Sequence, residues 1–175
     1  MKIDLLSGET VTSRLPELDR LLTDAVQNGA SVGFVLPLAD GEVEAYWRKV
    51  GAEVSAGDKL FFAAFDEGGR LVGSAQLALE PRANGRHRAE VQKVMVLAAH
   101  HGRGIGAALM TRVEAEARAR GRALLFLDTS VGEGGATKFY ERLGYTLAGG
   151  IPDFAADPDG RLAPNAIYYK RLAER

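Results

Sequence analysis

The feature that most constrains the fold is a glycine-rich turn, Gly-Arg-Gly-Ile-Gly-Ala at positions 102–107, which separates an apolar run from a helical stretch. The run 89–97 predicts a strand, and the apolar stripe after the turn predicts a helix that ends at Gly121. The next segment, 123–127, is apolar on both faces, as expected of a buried parallel strand. This order predicts a right-handed βαβ unit at the centre of the fold.

Other segments add helices and strands around this unit. Apolar residues at helical spacing predict helices over 13–28, 40–54 and 135–143. β-rich runs bounded by turn residues predict strands over 30–36, 59–65, 71–79, 145–148 and 166–172. The strands 59–65 and 71–79 are joined by Asp-Glu-Gly-Gly-Arg, whose glycines allow the positive φ of a tight hairpin. Because a hairpin joins antiparallel strands, the sequence predicts a mixed sheet.

Length and composition limit the possible functions. A chain of 175 residues predicts one folded domain, 1–175, with a single core. The net charge of -1 argues against the basic field with which proteins bind nucleic acid, and no apolar run is long enough to span a membrane. We therefore expect a cytoplasmic protein that binds neither nucleic acid nor membrane. The chain has three histidines at unsuitable spacing and no cysteine, which predicts no metal site.

The glycine-rich turn is also a candidate site for a pyrophosphate. Glycines before a helix let backbone N–H groups approach an anion closely, and the positive end of the helix dipole favours phosphate oxygens. The turn lacks the Gly-Lys-Ser/Thr of a nucleotide P-loop and the spaced glycines of a dinucleotide-binding fingerprint, so neither of those sites is expected. On the turn alone, a glycine-rich helix start without a ligand stays open.

The turn and the preceding strand resemble motif A of the GNAT superfamily of N-acetyltransferases, in which Gln or Arg, two residues, Gly, any residue and Gly or Ala follow a strand. Gly104 and Gly106 match, whereas the first position carries His101. The resemblance implies that acetyl-CoA is the cofactor and that the backbone of Met95 and Val96 binds its pantetheine arm like an added strand. The implied cofactor site comprises Met95, Val96, His101, Gly102, Arg103, Gly104, Ile105, Gly106 and Ala107. The implied fold is α/β (α+β), with a mostly antiparallel central sheet, a splayed parallel strand pair and helices on both faces.

Further segments are similar to the tabtoxin-resistance acetyltransferases of Pseudomonas. They span most of the chain: 29–34, 88–93, 127–129, 139–140, 158–162 and 166–170. The similarity implies that Glu90 and Asp128, on neighbouring central strands, are the basic groups. An alkyl ammonium has a pKa of about 10.4 and must lose a proton before it attacks a thioester, which is a use for two carboxylates. The structural alternative is that they only pair with Arg88 or Lys93, or cap a loop.

Tyr140 follows the second carboxylate, at the place where the superfamily often carries a tyrosine directed at the cofactor sulfur. The ordinary pKa of a tyrosine, about 10, lies above that of a thiol, so Tyr140 is a candidate acid for the departing thiolate. Its alternative role is core packing with Phe139, Leu143 and Tyr145.

The acceptor is expected to bind around Phe34, Tyr46, Trp47 and residues 153–165. The resemblance implies a small primary amine, amino-acid-like or similar to an antibiotic or toxin, that attacks the thioester directly in a ternary complex. A protein or peptide N-acetyltransferase and an acyl-CoA-sensing module without turnover are the alternatives, and a homodimer stays open. Residues 86–88 and Lys93 form a basic cluster, which we expect to be a solvated edge, with contact to the 3'-phosphate of the cofactor as the alternative.

Overall fold

A central sheet organises residues 1–131 and 136–172, which are the residues that the computed structural model describes. Seven strands of this part of the chain form it, in the order β1-β2-β3-β4-β5-β9-β6. The strands are β1 (Lys2–Leu6), β2 (Lys59–Phe65), β3 (Leu71–Leu79), β4 (Arg88–Val96), β5 (Leu124–Ser130), β6 (Thr146–Gly149), β7 (Ala155–Ala156), β8 (Leu162–Ala163) and β9 (Asn165–Arg171). The short strands β7 and β8 pair only with each other.

Helices cover both faces of the sheet. They are α1 (Gly8–Ser13), α2 (Leu15–Gln27), α3 (Glu42–Ala56), α4 (Ile105–Ala119) and α5 (Thr137–Arg142). Alternation along β2 sends Phe62 into the core beside α4 and Phe61 into the core beneath α2 and α3, where it meets Trp47. The expected α/β architecture is therefore confirmed.

The pairing between β4 and β5 is parallel and short. It joins Arg88 to Leu124, Ala89 to Leu125 and Glu90 to Phe126, and then it stops, although both strands continue. The other pairs of the sheet are antiparallel. A split therefore opens between β4 and β5 beyond Glu90, which confirms the splayed parallel pair.

Several element predictions need correction. The segment 30–36 is irregular and not a strand, because the positive φ of Gly33 (+86°) turns the backbone, and Leu36 N–H donates to the Pro158 carbonyl at 2.8 Å. The first helix is divided at Arg14, before Pro16, and β1 was not predicted. The predicted start of the last helix, residue 135, lies outside the described residues. Within those residues, each helix is too short or too polar to cross a membrane.

Candidate active site

A cavity of about 600 Å³ lies at the N-terminal end of α4, and we call it the helix-end cavity. Its wall comprises Val94, Val96, residues 100–102 and 104–107, Ala136, Phe139, Arg142 and Leu143. Gly104 caps α4 in the left-handed conformation (φ +75°) without a side-chain cap, and the first intrahelical bond runs from Ala108 N–H to the Gly104 carbonyl. The N–H groups of Ile105, Gly106 and Ala107 precede that bond, so they are left for another acceptor. They suit an anion such as a pyrophosphate.

Gly106 allows α5 to pack closely against the start of α4. A Cβ atom at this position would lie 3.2 Å from Cζ of Phe139, which is itself part of the cavity wall. Any side chain on residue 106 would therefore push Phe139 or enter the cavity.

The end of β4 presents backbone groups to the same cavity. Leu97 N–H donates to the Val72 carbonyl at 2.9 Å, and the alternation of an antiparallel ladder then directs the N–H and carbonyl groups of Val96 away from β3, into the split. The His101 ring bonds to that carbonyl, with Nε2 2.8 Å from the oxygen. His101 thus ties the glycine-rich turn to the end of β4.

Two residues of the predicted cofactor site lie elsewhere. Met95 pairs with Ser74 of β3, and its side chain is buried beneath α2, so Val94 and Val96 take the positions on the cavity wall. Arg103 is exposed, and its guanidinium donates to the Ala99 carbonyl at 3.2 Å. A direct role of Arg103 toward a cofactor stays a prediction.

A β-bulge in β4 changes which side chains face the split. Ser74 is opposite Met95 and Gln76 is opposite Gln92, so β4 carries one extra residue there. Lys93 occupies the bulge with φ +50°, and the Ser74 hydroxyl donates to its carbonyl at 3.4 Å. The solvated basic edge predicted for Lys93 is therefore wrong, because the bulge directs this side chain into a cavity.

That second cavity, of about 360 Å³, lies in the split, and we call it the split cavity. Its wall comprises residues 30–33, Tyr46, Lys59, residues 90–94 and 128–130, Ala136, Tyr140, and residues 154–155 and 163–165. The structure thus brings together Glu90, Asp128 and Tyr140. Both cavities share Val94 and Ala136 as wall residues, so they adjoin there.

The two carboxylates share one face of the sheet. Glu90 is level with Phe126, and Asp128 lies two residues further along β5. The Gln92 side-chain N–H donates to Glu90 at 2.9 Å, which orients that carboxylate. Arg88 pairs instead with Glu80 at 3.0 Å, so the alternative in which Arg88 neutralises Glu90 does not hold.

Tyr140 belongs both to the core and to the split cavity. Its ring packs against Tyr145 and Tyr168, with centroids 5.8 and 6.3 Å away. Burial first, and then the negative charge of Asp128, raise the pKa of the Tyr140 hydroxyl. The hydroxyl is therefore protonated at neutral pH and available as a donor.

Part of the expected acceptor region lines the split cavity. Tyr46 and residues 154–155 and 163–165 line the split cavity, whereas Trp47 is fully buried in the core. Phe34 is buried against Tyr46, with ring centroids 5.4 Å apart. Across residues 1–131 and 136–172, no group of three His, Asp or Glu side chains is arranged to hold a metal ion.

Comparisons with known proteins agree with this geometry. The model of the family described as acetyltransferase (GNAT) matches residues 23–145. A ribosomal-protein-alanine N-acetyltransferase from Brucella melitensis has a similar structure, with a TM-score of 0.80, 24% identity, and coverage of 98% of this chain and 100% of that one. A putative acetyltransferase from Salmonella typhimurium, solved with its cofactor acetyl-CoA, is similar with a TM-score of 0.77 and 19% identity, over 100% of this chain and 95% of that one. An aminoglycoside 6'-N-acetyltransferase in complex with coenzyme A is similar with a TM-score of 0.74 and 20% identity, over 100% of this chain and 99% of that one.

Proposed function

Because the chain belongs to the acetyltransferase (GNAT) family, a class of acetyl-CoA-dependent enzymes, we propose that it acetylates the primary amine of a small molecule. The observation that carries the proposal is the adjoining pair of cavities. The helix-end cavity suits the pyrophosphate of acetyl-CoA, and the adjoining split cavity has two carboxylates and a tyrosine in its wall. The proposal places both sites on one domain, residues 1–175.

The cofactor would be held mainly by backbone groups. The N–H groups of residues 105–107 face the pyrophosphate position, and Val94 and Val96 offer backbone groups of β4 to the pantetheine arm. When bound, acetyl-CoA supplies an activated acetyl thioester. Glycines and helix-end N–H groups can bind a pyrophosphate without a charged side chain. This agrees with the position of Arg103, whose guanidinium donates to the Ala99 carbonyl.

The split cavity prepares the amine. Glu90 and Asp128 attract the ammonium form of the acceptor and accept its proton, directly or through water. The free amine would then form the C–N bond at the thioester carbonyl, and the Val96 N–H faces the side of β4 where negative charge would develop on oxygen. As the C–S bond breaks, Tyr140 would donate its proton to the departing thiolate, and the proton that the new amide nitrogen loses would pass through the carboxylates or water and restore the tyrosine hydroxyl.

The acceptor is proposed to be amino-acid-like or similar to an antibiotic or toxin. The similarity to the tabtoxin-resistance acetyltransferases supports this, and a structural neighbour is named for aminoglycosides. The structural neighbour from Brucella melitensis is named as a ribosomal-protein-alanine N-acetyltransferase, and it supports the alternative of a protein or peptide acceptor. A cavity of about 360 Å³, with Phe154, Ala155 and Ala163 in its wall, suits a small molecule better than an extended peptide.

Acetyl-CoA-dependent thiol release tests the proposal. The acceptor panel comprises amino acids, dipeptide-like β-lactams, polyamines, aminoglycosides and short peptides, and the variants are Glu90→Gln and Asp128→Asn. Exposed Glu67→Gln serves as the matched control. We expect release with small amines that falls in both site variants while acetyl-CoA binding persists. Binding without release on any acceptor would favour the sensing module, and release only with peptides would favour the peptide alternative.

A further inference from the structure

One charged group in the split cavity has no role in the proposed transfer. The cavity wall carries Lys59, Glu90, Lys93 and Asp128. Lys59 pairs with Glu53 of α3 at 2.8 Å, and Glu90 accepts from Gln92. Within residues 1–131 and 136–172, Lys93 makes neither an ion pair nor a side-chain hydrogen bond. Its ammonium is thus available to a bound molecule.

The backbone and its neighbours fix Lys93 in this position. A lysine at φ +50° is uncommon, since this region favours glycine, and such residues cluster at functional sites. The Lys93 Nζ lies 5.7 Å from the centroid of the Tyr46 ring, a cation–π distance. Buried Gln76 holds the Tyr46 hydroxyl, because its side-chain N–H donates to that oxygen at 3.0 Å. The backbone conformation of Lys93 and the Tyr46 ring, which Gln76 holds in place, therefore direct the ammonium into the cavity.

The electrostatics of the cavity favour an anion beside Lys93. Burial first, and then the positive charge of Lys59, lower the pKa of Lys93, while Asp128 and Glu90 oppose the shift. The charged form is thus poorly solvated and gains from a negative partner. Glu90 and Asp128 form no ion pair with it within the described residues, so a ligand anion can serve as that partner.

A second donor lines the same cavity. The side-chain oxygen of Asn165 accepts from Ile151 N–H at 2.9 Å, which fixes the orientation of the amide. Its Nδ2 is buried and, in the described part of the chain, has no hydrogen-bond partner. Such a group is costly unless a ligand satisfies it.

We propose that Lys93 determines acceptor specificity by binding a carboxylate of the acceptor, so that the site selects zwitterionic amines over simple amines. The ammonium end of the acceptor lies at Glu90 and Asp128, and its carboxylate end lies at Lys93, with Asn165 as the second donor. This inference rests on the proposed function and names the chemical class of its acceptor.

Matched acceptor pairs test this assignment. Each pair differs by one carboxylate: L-lysine and cadaverine, L-ornithine and putrescine, L-phenylalanine and phenethylamine. The readout is the ratio of kcat/KM for the carboxylated member over its partner, from thiol release. In Lys93→Met we expect the ratio to fall by about 10- to 100-fold through KM, the effect of losing one charged hydrogen-bond partner. Lys93→Arg retains most of the preference, and exposed Lys2→Met retains all of it.

Each other outcome contradicts a defined part of the account. An unchanged ratio in Lys93→Met, or no preference in the wild type, overturns the carboxylate assignment alone. If Lys93→Met lowers kcat equally for both members of each pair, Lys93 takes part in proton transfer, and the carboxylate assignment is again overturned. No release with any amine from a protein that binds acetyl-CoA contradicts the proposed function itself. If Lys93→Met does not fold, Lys93→Gly, which adopts φ +50° without strain, has to show the same loss of preference.

Discussion

Replacing Tyr140 with phenylalanine separates the catalytic role of this residue from its packing role. In residues 1–131 and 136–172 its hydroxyl makes no side-chain hydrogen bond, and the ring contacts with Tyr145 and Tyr168 are kept in the variant. The free energy of unfolding should therefore change by less than about 1 kcal/mol. If the hydroxyl is the acid that protonates the thiolate, kcat should fall by about 10²- to 10⁴-fold.

Tyr145→Phe is the matched control for this experiment. Tyr145 lies in the same aromatic cluster, but it does not line the split cavity, and its buried hydroxyl lies beside Glu114 without a hydrogen bond of good geometry in the described part of the chain. Removing that oxygen should leave kcat unchanged and change the free energy of unfolding by no more than about 1 kcal/mol in either direction. Thermal and urea unfolding give the stability of both variants, and thiol release gives kcat.

The comparison can refute the assignment of Tyr140 in two ways. If Tyr140→Phe keeps kcat within about threefold of the wild type, the hydroxyl is not the acid, since the loss of a general acid has a larger effect. If Tyr140→Phe and Tyr145→Phe lose activity and stability together, the cluster acts through packing alone. Only a loss of kcat confined to Tyr140→Phe, at unchanged stability, supports proton donation.

Three further predictions address the cofactor site, the stability and the pH dependence. Gly106→Ala should raise the KM for acetyl-CoA about tenfold, because its Cβ would crowd the Phe139 ring on the cavity wall. Lys170→Met should lower the free energy of unfolding by about 2 kcal/mol, since Lys170 donates to both oxygens of buried Glu114, at 2.7 and 2.9 Å. The preference for carboxylated acceptors should decline as pH rises through the lowered pKa of Lys93, and Lys93→Arg should keep it to higher pH, because a guanidinium stays charged.

Each of these predictions has its own check. For Gly106→Ala, an unchanged KM would mean that Phe139 moves away freely from the cavity. For Lys170→Met, adding Glu114→Leu should recover stability, because the second change removes a buried carboxylate that keeps only the longer ion pair with Arg118, at 3.5 Å. For the pH dependence, identical profiles for the wild type and Lys93→Arg would exclude the titration of Lys93 as the cause.

The sequence predicted elements best where local patterns and tertiary structure agree. The hairpin of β2 and β3 has the predicted bounds, and α4 begins directly after Gly104. The segment 30–36 was misassigned because Ala30, Val32 and Phe34 alternate along it and pack on the core from an irregular backbone, which residue types alone do not distinguish from a strand. The edge strand β1 was missed because it is short and two of its five residues, Lys2 and Asp4, are charged, a composition that predicts a strand only weakly.

The candidate site was predicted from motifs, and the predicted acceptor region coincides only in part with the split cavity, because Tyr46 and residues 154–155 and 163–165 line it but Phe34 and Trp47 do not. The structure brings Glu90, Asp128 and Tyr140 together as the family resemblance implied. Lys93 was assigned to a solvated edge because strict alternation along β4 gives no sign of an extra residue. A bulge depends on the register between β3 and β4, so it becomes visible only when both strands are in place.

A crystal structure with bound acetyl-CoA tests the central claim most directly, because that claim concerns where the two substrates meet. The account predicts pyrophosphate oxygens within about 3.2 Å of the N–H groups of residues 105–107. It also predicts the thioester at the wall formed by Val94 and Ala136, with its carbonyl open to the split cavity. A pyrophosphate bound elsewhere, or a thioester enclosed away from Glu90 and Asp128, would contradict it.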